Sequence, residues 1–514
     1  MVAPIKINLN PNIPPLPKVD DKTKINIRYI LISPYVSVHI YWNKEIGELI
    51  YELEEPALDD NEKALLHSLE KSLEEFINVD VVVENNTESM IAYIDKTSRL
   101  LIEELAMEIS ETSYRKIFYY LFRDFIGLNK VEPIIRDYFI EDIECNGVNT
   151  PIYVIHRIYR NMRTNVVYKD IDKISSFVEK LAQRCGKYVS YATPILDGSL
   201  PDGSRVNATY TKDISSRGPT FTIRKFTKIP WTPTQLLNMG TLSPEMLAYF
   251  WVLLEHKSNI LISGGTSSGK TTLLNAIAFF IPPEARVVSI EDTKELNLPR
   301  ENWLPSVTRS SFGSQKIGEV DLFSLLKSSF RQNPDYVIVG EVRGKEASVL
   351  FQGMASGHSS IGTMHSDSVD TLIKRLETPP INLSPTLINI LDAVAIMTHA
   401  VINKQETRKL REIVEIVNVD AQGVALTNTP FVWDAKDNSF YFKKDSRVFQ
   451  KISKKFGTTV EELHNEIQLR AKLLYEMQRR KIFDFKQNQK IINQYHRNPK
   501  EVLAAFGITS NKNN

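Results

Sequence analysis

Gly264-Gly265-Thr266-Ser267-Ser268-Gly269-Lys270-Thr271 fits the pattern G-x-x-x-x-G-K-[ST] at every position, and this stretch decides the fold. The glycines let main-chain N–H groups curl around the α- and β-phosphates of a nucleotide, where a side chain would block the approach. Lys270 brings a mobile positive charge to the β- and γ-phosphates, and the Thr271 hydroxyl is placed to ligate Mg²⁺. From Thr272 to Phe280 a helix is expected, its positive N-terminus aimed at the same phosphates. Asn259-Ile260-Leu261-Ile262-Ser263 leads in as a buried strand would, giving the required order of strand, loop and helix. Gly264, Gly265, Thr266, Ser267, Ser268, Gly269, Lys270, Thr271 and Thr272 are therefore the candidate nucleotide-binding residues.

Working outward, such a loop needs acids at the tips of neighbouring strands, because Mg²⁺ takes oxygen ligands, often through water. Two segments supply them. Arg286 to Ile290 runs into Glu291-Asp292, and Tyr336 to Gly340 runs into Glu341. One acid holds the Mg²⁺ shell and the other polarises the attacking water; chemistry alone allows the roles to be exchanged. Ser356 to His365 then places His358 and His365 on either side of a short β-type segment, with Thr363 beside the second. Next to a γ-phosphate these histidines would sense its presence and couple hydrolysis to movement. Their spacing does not suit zinc.

The strand candidates Asn259–Ser263, 286–290, 335–340, 359–364 and 392–401 alternate with helical segments, which implies an α/β domain with a largely parallel sheet. This domain is expected over 237–514, with about 443–514 as a basic helical extension. In that extension Thr459 and Glu462 form a capping box, and Val460, Leu463, Ile467, Ala471 and Leu474 share one helical face. The basic flank is a candidate surface for acidic partners or anionic lipid headgroups. Ahead of it, 229–236 with Pro230 and Pro233 reads as the linker, and 23–228 as an α+β domain. There, Val36, Val38, Ile40 and Trp42 alternate as a half-buried strand, residues 44–76 form an acidic stretch with helical apolar spacing, and 100–125 reads as helix. Glu141 to Gly147 reads as a turn opening a β-rich stretch to Tyr168. Residues 1–22, with Pro4, Pro11, Pro14, Pro15 and Pro17, read as an extended, mobile arm.

Composition bounds the class. A chain of 514 residues with 42% hydrophobic and 24% charged content is a multidomain soluble protein with ample core material. A net charge of +1 provides no overall basic field, so no nucleic acid is expected as a partner. Two distant cysteines, Cys145 and Cys185, make neither a disulfide framework nor a metal site. With no signal-like N-terminus and no apolar run near the ~20 residues a spanning helix requires, the expected place is the cytoplasm, peripheral to the membrane.

The order phosphate loop, Ile290-Glu291-Asp292, Val339-Gly340-Glu341-Val342-Arg343-Gly344 and Gly357-His358…Thr363…His365 resembles the Walker A, Asp box, atypical Walker B and His box of the secretion ATPase superfamily. Its members power type II and type IV secretion and type IV pilus assembly. The resemblance covers about Val131 to Arg411, and Leu237 to Ser243 together with Leu253 to His256 look most like the archaeal branch. Length, N-terminal arm and C-terminal extension are similar to the archaellum (archaeal flagellum) motor ATPase. The resemblance implies a RecA-like P-loop ATPase domain behind an α+β domain, a homo-hexameric ring, and ATP with Mg²⁺ at the joint of the two domains. It also implies a polytopic membrane platform protein and other filament-motor subunits as partners at the inner face of the membrane. By that resemblance Glu291 is the catalytic glutamate, Glu341 serves with Thr271 in the metal shell, and Arg205 and Arg224 reach the phosphates. The four-cysteine zinc module of many bacterial members cannot be built from two cysteines.

An adhesive-pilus or secretion ATPase is the near alternative. A switch GTPase fails on motif order: Asn403-Lys404-Gln405-Glu406 ends in the wrong acid and precedes Asp420-Ala421-Gln422-Gly423. A nucleic-acid transfer motor would use the basic C-terminal stretch with Phe483, Phe485 and Tyr495.

Overall fold

The structure, a computed structural model, describes every residue except 1–4, 6, 10, 12–13, 15, 18–20, 77–86, 227–228, 310–317, 403–404, 444 and 509–514. Pro4, Pro15, Lys228, Asn403 and Lys404, named above, lie outside the described residues. The chain divides into two units, Met1–Phe226 and Thr227–Asn514.

In the first unit, residues of alternating burial make β1 (Asn26–Ile32), β2 (Val36–Asn43), β3 (Glu48–Glu54), β4 (Ile140–Cys145), β5 (Pro151–His156), β6 (Arg160–Val167), β7 (Ile195–Ser199), β8 (Arg205–Thr209) and β9 (Thr220–Arg224). They form one sheet in the order β1-β2-β3-β6-β5-β4-β9-β8-β7. Its pairs are antiparallel except β3 with β6. Leu69 and Leu73 from helix Asp60–Phe76, Phe118 from Glu111–Leu121 and Phe177 from Ile171–Arg184 share its core.

Three readings change here. The stretch 141–147 read as a turn lies mostly in β4, where Ile143 and Cys145 are buried by pairing with β5 and β9. The helical run 100–125 is two helices, Thr87–Glu104 and Glu111–Leu121, because Ala106 takes φ 47° and Ser110 caps a new start. The proline-bearing first residues are not a free arm where described: Asn8 bridges Ser33, the Tyr159 hydroxyl donates to the Pro17 carbonyl, and Ile7, Leu9 and Leu16 pack on the core.

The second unit holds β10 (Ile260–Gly264), β11 (Val287–Glu291), β12 (Trp303–Val307), β13 (Tyr336–Val342), β14 (Ser359–Met364), β15 (Ala393–Ile402), β16 (Gln405–Val419), β17 (Ala425–Asp434) and β18 (Ser439–Phe442). The order is β12-β11-β13-β14-β10-β15-β16-β17-β18. From β12 to β15 neighbours run parallel, and from β15 to β18 antiparallel. The five strands expected from the sequence are β11, β13, β14, β10 and β15, side by side in the parallel half. Every residue of β10, β11 and β14 is buried, as a sheet covered on both faces demands.

Helix Pro244–Glu255 is buried along nearly its whole length, and Val460–Arg479 packs against it. The Thr459–Glu462 capping box is present, and Leu463, Ile467, Ala471 and Leu474 are buried. Buried Arg470 pairs with Glu255 and lies 5.1 Å over the Trp251 ring. Part of the expected linker is built into this unit: Thr232 caps helix Pro233–Asn238, and the Thr234 hydroxyl donates to the Ile482 carbonyl. Among the described residues no helix is long and apolar enough to cross a membrane.

Candidate nucleotide site

β10 ends at Gly264, whose φ of 149° leaves no room for a side chain: a Cβ there would sit 2.3 Å from the Met397 carbonyl of β15. Gly269, at φ 96°, is the N-cap of helix Lys270–Ile277 and turns the loop into it. Between these glycines the Ser268 hydroxyl donates to the Gly265 carbonyl at 2.9 Å. Lys270, only 8% exposed, donates to the carbonyls of Gly264 (3.0 Å) and Gly265 (2.7 Å). Burial lowers its pKa, opposed by the charges of Glu341 and Asp367.

Three strands away, Glu291 closes β11 and is 1% exposed. Its Oε1 accepts the main-chain N–H groups of Glu295 and Leu296 at 2.9 Å, while Oε2 has no partner among the described residues. Burial outweighs those two hydrogen bonds and pushes its pKa up to about 7. The adjacent Gly340 admits it: a Cβ on Gly340 would lie 3.0 Å from Glu291 Cγ.

Glu341 is aimed by a bulge. Val339 pairs with Gly362 but Val342 with Met364, so β13 carries one extra residue, and the Thr363 hydroxyl ties the bulge by donating to the Gly340 carbonyl at 2.6 Å. Arg343 donates to Glu341 Oε2 at 2.6 Å, and His365 Nε2 lies 3.7 Å from Oε1. Burial alone would raise the Glu341 pKa; Arg343, His365 and Lys270 more than offset it, and the carboxyl stays below its ordinary range. His365 sits 3.4 Å from Lys270 Nζ, and burial and that charge hold its pKa down. Lys270, His365, Glu341 and Arg343 thus form one connected polar chain at the mouth of the loop.

His358 does not join them. It precedes β14, packs 5.0 Å from the Phe330 ring, and stands at the opposite end of the strand from His365. A strand rising about 3.3 Å per residue separates the two histidines by roughly 20 Å. Arg205 and Arg224 are brought together on the first unit, directly opposite each other on β8 and β9. Arg205 is half-buried and Arg224 exposed, and each is held by an acid: Asp197 at 3.2 Å and Asp142 at 3.0 Å. The residue that the sequence reading passed over is Arg343, which looks like a surface charge in a loop but pairs with Glu341.

Thr271 lies in the first turn of helix Lys270–Ile277. Among the described residues no group of three or more His, Cys, Asp or Glu gathers as a metal cluster. One hydroxyl, one ionised carboxylate and water suit Mg²⁺, which keeps several of its waters. Glu291, whose Oε2 has no partner among the described residues, closes β11 at the same end of the parallel strands as Glu341, so the donor set fits that ion. Cys145 and Cys185 are free thiols whose burial pushes both pKa values up to about 11, which suits neither metal nor redox work.

A parallel sheet ending in a glycine-lined loop, with acids on the tips of nearby strands, defines a phosphate-loop nucleotide-binding protein. The family model for the Type II/IV secretion system protein matches residues 130–477, and the chain belongs to that family. An uncharacterized protein of Methanocaldococcus jannaschii is 40% identical over 395 residues, covering 75% of this chain and 70% of the relative. Among solved structures, the VirB11 ATPase from the Brucella suis type IV secretion system in complex with sulphate is 22% identical, over 55% of this chain and 94% of that one, with a TM-score of 0.29. The pilus retraction motor PilT with bound ADP is 15% identical, over 68% and 92% of the two chains, with a TM-score of 0.38.

Proposed function

We propose that the protein is a Mg²⁺-dependent ATP hydrolase working as a homo-hexameric motor for an archaeal type IV-pilus-like filament, the archaellum. It would act through a polytopic membrane platform protein and accessory motor subunits, peripheral to the inner face of the cell membrane. The observation that carries the hydrolase reading is the division of labour between two carboxylates. Glu291, dry and with a pKa near 7, is matched to accepting a proton from an attacking water at neutral pH. Glu341, held ionised by Arg343 and Lys270, suits the metal shell together with Thr271. Bound Mg²⁺ would neutralise charge on the phosphates.

Lys270 exchanges its two carbonyl partners for phosphate oxygens, and His365, beside both Lys270 and Glu341, registers that exchange. Arg205 and Arg224, two guanidinium groups abreast on one sheet, supply charge for the transition state once released from Asp197 and Asp142. Phosphate release from Mg-ATP by the full chain, with Lys270→Ala as control, tests the reading. Turnover lost in the variant is expected; no phosphate released by the wild type in any assembly state would overturn it. Light scattering with and without a non-hydrolysable ATP analogue tests the ring.

A further inference from the structure

The parallel strands have a second end, away from the phosphate loop, and it is not flat. A cavity of about 250 Å³ opens there, between the lead-ins to β10 and β14, Asp392 before β15, and helix Arg447–Phe456. Its lining mixes polar groups with the apolar side chains of Met354, Ile390, Val448 and Ile452, and Phe456, also in the lining, is 48% exposed. The buried Asp392 beneath is already satisfied: it accepts the Asn259 N–H at 2.8 Å and pairs with Lys451.

Apart from Asp392, which Lys451 neutralises, the charged side chains lining the cavity are cationic: Lys257, Lys451 and Lys455. Helix Arg447–Phe456 contains no acid, and Arg447, Lys451, Lys454 and Lys455 follow one another at helical spacing on its exposed side. Lys455 lies 5.2 Å over the Phe456 ring, and among the described residues it has no acidic partner. His256 and His358 add ring nitrogens to the lining, His256 packed 5.2 Å from Phe456.

Size and charge together select the occupant. Pockets for small organic ligands usually run from about 300 to 1,000 Å³, so this one suits a side chain or two from a longer chain lying across the rim. We infer that the cavity is a docking site for a partner polypeptide segment in which an apolar side chain is flanked by Asp or Glu. The apolar side chain enters between Met354 and Ile452, and its acidic neighbours meet Lys455 and Lys454. A membrane surface would engage the same lysines, but a planar bilayer does not fill a concave wall behind them. The site is separate from the nucleotide chemistry, since its residues stand at the opposite ends of β10 and β14, and its test needs no turnover.

The test uses the full chain and a fluorescein-labelled peptide, (Glu-Leu-Asp-Phe)₃, read by anisotropy at low and raised salt. The expected result is saturable, salt-weakened binding that falls at least about tenfold in Lys455→Glu and in Ala355→Trp. Ala355 is exposed and lines the cavity, so the indole blocks it while leaving every lysine in place. Thermal midpoints should match the wild type. Absence of saturable binding, equal binding of (Lys-Leu-Lys-Phe)₃, or binding untouched by Ala355→Trp would overturn the inference. So would an inert peptide together with phosphatidylserine vesicles whose capture falls with Lys455→Glu but not with Ala355→Trp, which would assign the lysines to a lipid surface.

Discussion

Replacing Glu291 by Gln should make the protein more stable, and only above a certain pH. The carboxyl is 1% exposed, with one oxygen unpartnered, and burial carries its pKa from an ordinary 4.5 to about 7. Folding therefore favours the protonated form. The stability this group contributes is complete below about pH 4.5 and is lost as pH rises through about 7. An interval of about 2.5 pH units, at about 1.4 kcal/mol each, gives a cost of about 3 kcal/mol in the wild type at pH 8.5. The neutral glutamine keeps an oxygen for the N–H groups of Glu295 and Leu296 and escapes that cost. Thermal melts of the nucleotide-free chain should show the Gln variant higher by about 6–12 °C at pH 8.5 in the transition of the second unit, and level with the wild type near pH 4.5. A difference independent of pH, or a variant less stable throughout, would refute a buried, proton-retaining Glu291.

Other substitutions separate binding, chemistry and folding. Lys270→Ala should weaken binding of a fluorescent ATP analogue at least about a hundredfold, read by titration, because the loop's cation is lost. Glu341→Gln should bind that analogue nearly as the wild type does while phosphate release falls at least about a hundredfold; near-normal turnover would remove Glu341 from the metal shell. Arg224→Ala should cut turnover far more in the assembled ring than in the monomer, compared at matched protein by size-resolved assays; equal losses would mean that it acts within its own subunit or not at the phosphates. Gly264→Ala should cost about 3 kcal/mol or more in denaturant melts, since its methyl meets the Met397 carbonyl at 2.3 Å.

What could be read from the residues is what a local pattern encodes. Apolar β-branched runs bounded by the loop and the two acids marked all five inner strands of the parallel sheet, because strands buried on both faces are continuously hydrophobic. β12 carries Pro305 on an edge, and β16 and β17 mix charge with repeated register shifts, so neither shows a clean period. The bulge that aims Glu341 depends on how β13 pairs with β14, which no single strand reveals. His358 and His365 look alike in a motif, yet strand rise alone sets them at opposite ends, an inference the spacing already allowed. Ala106, in a left-handed conformation, broke a helix whose residues otherwise favour continuing it.

The tight seam between Gly264 and the Met397 carbonyl has a topological side. At Gly264 the two strands approach so closely that not even a methyl fits, and β10 and β15 stay in unbroken register from Ile260 opposite Ala393 to Gly264 opposite Met397. β15 is also where the sheet reverses direction and hands on to β16. The antiparallel strands are thus one strand removed from the root of the phosphate loop, with β15 as the shared neighbour of β10 and β16.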